Sequence, residues 1–491
     1  MIAVESRKSI IESRPDSYRE LKLKKMAPVF TSDAIVFGLL MLVLALVFAT
    51  SHSSSEGWQK FYRFVPSVLL CYFLPALMNY PLGWIAPHWF NPDLLGFLQE
   101  QGLSITQSEL YAMSYDEIKA FLNDNNIAKE AYAAYEGHSQ LYYVASRYLL
   151  PASLILLCIG IDFQGIINLG PKALAMFFTA TVGIIIGGPI AVLTVLTISP
   201  DIVEASREEV WRGLSTVAGS WIGGGANQAA MKEIFEVKDN LFASMIVVDV
   251  IVANIWMGFL LYGAGMSDKI DNWLQADSSA IEDLKERVRT YREKVSRIPT
   301  TTDLFIIGGV AFVGVGISHW GMDVIVPFME QFKATLEDLK LNSLMSGFFW
   351  LIVIATTIGV AGSFTKFREL EGVGASRWGS LFIFILVATI GMKMNLGEIY
   401  KNLGLFAIGI VWMLIHVVTL LLVAKLIKAP FFFVAVGSQA NVGGAASAPV
   451  VASAFNPVLA SVGALMAVLG YALGTYGAII CAYMMQAASG G

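Results

Sequence analysis

Charge is what this sequence has least of. Asp, Glu, Lys and Arg make up 14% of its 491 residues, where a soluble domain carries about 25%. A soluble globule of 53.4 kDa could not cover its surface with so few charges. Cysteine is scarce too: Cys71, Cys158 and Cys481 fall singly inside apolar runs. That excludes a disulfide framework and a cysteine metal cluster. There are five histidines, no HExxH, no Gly-x-Ser-x-Gly and no phosphate loop, so an enzyme is not expected. A net charge of -5 and a pI near 5.7 leave nucleic acid without an electrostatic partner here. The first 33 residues hold Arg7, Lys8, Arg14, Arg19, Lys22, Lys24 and Lys25 and lack the apolar centre of a cleavable signal.

What is there is apolar. The hydrophobic class reaches 56% and the mean hydropathy is +0.64. A helix needs about 20 apolar residues to cross the hydrocarbon core. Twelve stretches qualify: 34–51, 61–80, 142–161, 173–198, 213–235, 240–265, 303–327, 341–363, 378–396, 402–427, 430–455 and 458–486. Runs such as Ile35–Ala49 are continuous, not alternating, which excludes a β-barrel. The expected fold is an all-α polytopic membrane protein of 10–12 transmembrane helices, with the lipid bilayer as its surroundings.

Four regions follow: a basic arm 1–33, a first membrane half 34–265, a charged helical linker 266–302, and a second membrane half 303–491. The first half carries an acidic insertion, 81–140, with Lys119 and Lys129 against eight acids. In it, Thr106-x-x-Glu109 and Ser114-x-x-Glu117 predict capped short helices; Ser279-x-x-Glu282 predicts another in the linker, ended by Pro299.

The chain resembles itself. Residues 152–265 align with 381–486. Gly219-Ser220 matches Gly437-Ser438, Gly223-Gly224-x-x-Asn227 matches Gly443-Gly444-x-x-Ser447, and Ala243-Ser244 matches Ala460-Ser461. The segments 213–235 and 430–455 are rich in Gly, Ser, Asn and Gln and suit an unbroken helix poorly. Glycine lets the chain unwind, and freed amides and carbonyls within a membrane must find partners. A bound ion or polar solute is such a partner. Duplicated halves, each interrupted by glycine at the same place, are the sign of a secondary transporter. Close helix packing is the competing reading; it fits Gly183-Gly187 and Gly470-Gly474 better than these two segments.

Asp249 sits in the middle of an apolar span, where an unpaired carboxylate costs several kcal/mol. It reads as a cation ligand or proton carrier, with a protonated acid bonded to a neighbouring helix as the alternative. Met466 occupies the corresponding place in the second half. Asn254 either lines the same cavity or bonds a neighbouring helix. His416, alone in its span, reads first as hydrogen-bonded packing. His319 and Asp323 are spaced for a local ion pair, and Asp162, Lys172 and Lys393 lie near span ends.

The motifs Gly219–Asn227, Gly437–Gly444 and Leu469–Tyr476, with the Asp249 helix, resemble the YjcL-like family of membrane proteins, whose function is unassigned. That family is similar at superfamily level to the glutamate:sodium and citrate:sodium symporters, and more distantly to the bile-acid:sodium symporters and cation:proton antiporters. The resemblance covers nearly all of 34–80 and 142–486. It implies a panel and a core domain, inverted repeats, alternating access, and a homodimer in a bacterial inner membrane. It biases the solute toward a small organic anion and the coupling ion toward Na+.

Topology bears on the two unusual segments. If all twelve stretches cross, most of the 33 Lys and Arg residues fall on one side, which would be the cytoplasm. The halves are then parallel. Making 213–235 and 430–455 re-entrant restores inversion and weakens that bias; re-entrant or broken segments are the expectation.

The function expected is an ion-coupled secondary active transporter of a small polar or anionic organic solute, with an ion channel or a membrane scaffold as alternatives. Ser220, Gly223, Gly224, Gln228, Gly443, Gly444 and Ser447 would hold the solute. Asp249, Asn227, Gln439 and Asn441 would hold the cation, Na+ or a proton; no other cofactor is implied.

Overall fold

The computed structural model describes residues 27–65, 67–199, 202–203, 206–276, 299–339, 341–394, 404–456 and 459–490. The basic residues Arg7 to Lys25 and the Ser279-x-x-Glu282 pattern lie outside the described residues. The chain forms two compact units, Met1–Val144 with Val387–Leu396, and Ala145–Leu386 with Gly397–Gly491. It is helical and membrane-spanning. Among the described residues, eight helices are long and apolar enough to cross a bilayer. The number rises to ten if each of two bent pairs counts as one span. The expected span 341–363 is the helix Gly347–Ser363, which turns by 94° after its end into Lys366–Val373.

In the first unit, the helix Asp33–Ser51 begins at the root of the acidic insertion. Its Asp33 carboxylate accepts from Ser139 Oγ at 2.6 Å and from the Gln140 amide at 2.9 Å. Val29 and Phe30 donate backbone bonds to Gly83 and Trp84. The insertion has its own core of Phe90, Leu94, Leu98, Leu110, Ile118 and Leu122, all fully buried. Strands His88–Phe90 and Glu136–His138 pair antiparallel with His88 opposite His138. Both expected capping boxes form, at Thr106 with Glu109 and at Ser114 with Glu117.

The second unit holds the remaining helices of interest: α1 (Leu150–Ile159), α2 (Pro171–Ile198), α3 (Arg207–Gly223), α4 (Gly225–Ile234), α5 (Asp239–Ala264), α6 (Thr301–Glu330), α7 (Gly347–Ser363), α8 (Leu405–Ile427), α9 (Phe431–Val442), α10 (Gly444–Phe455) and α11 (Ala460–Ser489). Gly314 of α6 and Gly359 of α7 pack against Ile155 of α1. Nearly every residue of α3, α4 and α9 is buried, whereas α6 presents Phe305, Val313 and Trp320 outward. A helix apolar all round belongs inside a bundle; one with an open apolar face belongs against lipid.

Neither α3–α4 nor α9–α10 runs straight. In a straight helix, residues 23 apart would lie about 34 Å from each other. Instead, Arg212 Nη1 donates to the Phe235 carbonyl at 2.9 Å. The Phe431 and Phe455 rings lie 5.9 Å apart. Each pair is therefore a helical hairpin, entering and leaving on one side. We call α3–α4 hairpin 1 and α9–α10 hairpin 2.

Candidate functional site at the hairpin tips

A capping box at Ser206 and Glu209 starts α3. The helix stops at Gly224, whose φ of 78° and ψ of -172° lie in a region that only glycine occupies readily. In hairpin 2, Asp271 accepts from the first amide of α9, Phe431 N, at 2.7 Å. Burial pushes the Asp271 carboxyl above the ordinary carboxylate range. The turn of this hairpin is Gly443-Gly444, with φ of 58° at Gly444.

The two tips meet. A Cβ placed on Gly444 would lie 4.0 Å from the Gly224 Cα. The long helix α11 runs behind both. A Cβ on its Gly470 would sit 2.7 Å from the Ile222 carbonyl and 3.5 Å from the Ala440 carbonyl, and one on Gly474 would sit 2.5 Å from the Gly223 Cα. Gly470-Gly474 is thus a packing stripe, but what it packs against is the pair of tips. Both glycines lie near the middle of a 30-residue helix long enough to cross a bilayer, so the tips lie near the middle of that span.

The hairpins arrive from opposite ends of α11. Its C-terminal end meets the mouth of hairpin 1: Tyr483 packs on Phe235 at 5.9 Å, and Arg207 Nη1 reaches the Ser489 carbonyl at 3.4 Å. Its N-terminal end follows directly on hairpin 2 and lays Gly463 on the backbone of Ala448 and Pro449.

Asp249, on α5, faces hairpin 1. Its Oδ2 accepts from Ser220 Oγ at 2.6 Å and Gln228 Nε2 at 2.9 Å, and its Oδ1 accepts from Trp221 Nε1 at 2.7 Å. Donors from both limbs of the hairpin thus reach the carboxylate, two at Oδ2 and one at Oδ1. Asn227 turns elsewhere: Nδ2 donates to the Gly223 carbonyl at 3.0 Å and the Tyr471 carbonyl at 3.3 Å, and Oδ1 accepts from Thr475 Oγ1 at 2.6 Å. Asn441 repeats this on α2. Its Nδ2 donates to the Gly437 and Phe177 carbonyls at 2.9 and 3.3 Å, and Oδ1 accepts from Thr181 Oγ1 at 2.7 Å. Each asparagine braces a hairpin against a threonine and the carbonyl four residues before it.

Gln439 Nε2 donates to Ser447 Oγ at 2.7 Å across hairpin 2. The residue is 2% exposed, and its Oε1 has no hydrogen-bond partner among the described residues. Ser438 Oγ meets Trp256 Nε1 of α5 and His416 Nε2 of α8, both at 2.8 Å. The structure therefore brings together Ser220, Gln228 and Asp249; Gln439, Gly443 and Ser447; and the turns Gly224 and Gly444. Asn227 and Asn441 bond different spans, α11 and α2. Among the described residues, no three of His, Cys, Asp and Glu are placed to hold a metal ion.

Two expectations need correction. Asn254 bonds its own helix and not a neighbouring one, donating to the Val250 carbonyl at 2.7 Å, an acceptor one turn before it. His319 bonds the Arg147 carbonyl at 3.1 Å and stacks on Tyr148, in place of pairing with Asp323. Four participants escaped the sequence reading: Thr181, Trp221, Trp256 and Thr475. Trp256 was accessible in principle, since it stands seven residues, two helical turns, after Asp249 and so on the same face.

Against known proteins, a family profile described as "Protein of unknown function (DUF819)" matches residues 133–488. The "Uncharacterized membrane protein YjcL" of Bacillus subtilis (strain 168) is 23% identical over 353 residues, 69% of this chain and 82% of that protein.

Proposed function

Because this chain belongs to the family described as protein of unknown function (DUF819), and its polar core lies between two opposed hairpins, we propose that it is an ion-coupled secondary active transporter of a small polar or anionic organic solute. The observation that carries this reading is the meeting of the Gly224 and Gly444 turns midway along α11. Broken backbone in the middle of a membrane is tolerated where it lines a cavity, and discontinuous segments from two halves are how transporters build a site.

Each hairpin presents a helix C-terminus and a helix N-terminus to the same point. The C-terminal carbonyls of α3 and α9 favour a cation, and the N-terminal amides of α4 and α10 favour an anion. Gln439 Oε1 and Ser447 Oγ add side-chain oxygens for a cation or a solute hydroxyl. Asp249 holds hairpin 1 in register, and changing its proton or ion load would change that hold. The coupling ion is Na+ or H+. Alternating access then moves a core, carrying the hairpins, relative to a panel, in a homodimer of a bacterial inner membrane. One cation falling through 100 mV supplies about 2.3 kcal/mol, enough to concentrate a solute roughly fifty-fold.

The test is uptake by proteoliposomes. A panel of labelled organic acids, amino acids and polyols is offered under an imposed Na+ or H+ gradient. Accumulation that collapses with the gradient and is lost in Asp249→Asn is expected. Conductance steps in planar bilayers would replace this reading with a channel. No accumulation of any member, with no conductance, would leave a scaffold.

A further inference from the structure

We propose that His416 is a protonation-sensitive latch on hairpin 2, serving that hairpin as Asp249 serves hairpin 1. The inference deepens the transport reading and takes its functional meaning from it.

The duplication pairs Ser220 with Ser438, yet puts Met466 where the first half has Asp249. On that basis the second serine should have no ionisable partner. The structure supplies one from a different helix: His416 Nε2 lies 2.8 Å from Ser438 Oγ. The serine oxygen also receives the Trp256 indole N–H at 2.8 Å. A hydroxyl has one proton to give, and no other acceptor for it is found among the described residues, so it points at Nε2. His416 is then the tautomer with its proton on Nδ1, a buried nitrogen that faces α2 and has no hydrogen-bond partner among the described residues; a Cβ on Gly183 would lie 3.3 Å from it.

His416 and Ser438 are both fully buried. Protonation adds a hydrogen to Nε2, taken from bulk water, and turns an acceptor into a donor. The serine proton loses its partner, and a cation stands in a dry site. Trp221 of α3 lies against Trp412 of α8 at 5.0 Å, and the charges of α3, Arg207, Glu208, Glu209 and Arg212, stand at the mouth of hairpin 1; the other helices packed on α8 are α2, α5 and α9. Their charged or titratable groups are Lys172 on α2, and Asp239, Asp249 and Tyr262 on α5; α9 has none. Lys172 reaches the Lys428 carbonyl, Asp239 pairs with Lys232 at 2.9 Å, Asp249 is bound by hairpin 1, and Tyr262 is 70% exposed. Among the described residues no acid of these helices faces the imidazolium, so it must be hydrated, and hairpin 2 is the element that must yield. Trp256 and Asp249 share one face of α5 and touch opposite hairpins, which lets one helix register both latches.

Hydrogen–deuterium exchange of the full-length protein in lipid nanodiscs tests this, at pH 8 and pH 5.5 with exchange corrected for its intrinsic pH dependence. Acid should speed exchange across 431–455 by about tenfold, as expected when a local opening becomes easier. His416→Gln keeps an amide at the position without the titration and should abolish that step. Ser438→Ala should raise exchange there at both pH values and also remove the step. Asp249→Asn should leave the step in 431–455 intact. Persistence of the step in His416→Gln, or its absence from the wild type, overturns the latch. A wild type that accumulates solute without the step loses the latch alone; a step without any uptake keeps the latch and loses transport.

Discussion

The two hairpins share a shape and differ in chemistry. Hairpin 1 is polar at both ends. Its mouth is tied by Arg212 to the Phe235 carbonyl, by Lys238 to Glu209 and by Lys232 to Asp239. Its middle is tied to Asp249 by three donors. Hairpin 2 has an aromatic mouth of Phe431, Phe432 and Phe455, and a middle tied by one serine to a histidine and a tryptophan. An acid with three donors holds its hairpin more firmly than a neutral ring with one, since hydrogen bonds to charged groups are roughly twice as strong as neutral ones. The two hairpins thus share a shape and differ in the groups that hold them.

The sharpest way to break this contrast is to remove the acid. Asp249→Leu leaves Ser220, Trp221 and Gln228 with buried donors and no acceptor, at about 1–3 kcal/mol each. We expect the largest loss of any single change, on the order of 3 kcal/mol or more in total. Thermal unfolding in detergent should show it, and His416→Leu should cost clearly less. Equal losses would erase the distinction between the hairpins.

The turns sharpen it next. Gly224 occupies a backbone region nearly closed to other residues, and Gly444 has a positive φ of 58°, which also favours glycine. Space does not decide the matter: a Cβ at Gly224 would find only Tyr471 Cε1, at 3.8 Å. Gly224→Ala should therefore cost about 1–3 kcal/mol through strain, and Gly444→Ala about 1–2 kcal/mol. If Gly444→Ala is the more damaging in the same unfolding assay, the second tip is the more constrained.

The asparagines ask whether anything is equal. Asn227 and Asn441 each satisfy two carbonyls and one threonine. Their alanine variants should lose the same stability within error, about 1–3 kcal/mol for the groups left unpaired. Unequal losses would mean that one asparagine has a further partner during function.

Much of this architecture was legible beforehand, for a physical reason. Apolar runs have to be spans, and glycine with amides inside such a run has to mark broken backbone. The breaks at Gly224 and Gly443-Gly444 follow from the sequence alone. Partner choice does not. Asp249 could be read as a buried acid, but not that Ser220, Gln228 and Trp221 would saturate it, because that depends on how α5 rotates against a hairpin. That Asn227 would bond the Gly223 and Tyr471 carbonyls and Thr475 was equally hidden, since it depends on how closely α11 approaches at Gly474. The His416 contact was hidden for the same reason: it joins residues 22 apart across a turn whose direction no local pattern encodes.

The smallest expected effect lies at the mouth of hairpin 1. Lys238 Nζ meets Glu209 Oε1 at 2.5 Å, but the lysine side chain is 77% exposed. Water and salt screen such a pair, so Lys238→Ala should cost no more than about 1 kcal/mol. Its pH dependence is the useful part. The bond from Lys238 holds the Glu209 carboxyl below its ordinary range. A depressed carboxylate stabilises the fold above its unfolded titration, near pH 4.3, and loses that contribution as pH falls through the folded value. The gap between wild type and variant should be full at pH 7, shrink in acid and shrink again in high salt. A gap that survives both would show that Lys238 braces the mouth by packing, and the polar character assigned to that end of hairpin 1 would then rest on Arg212 and Lys232 alone.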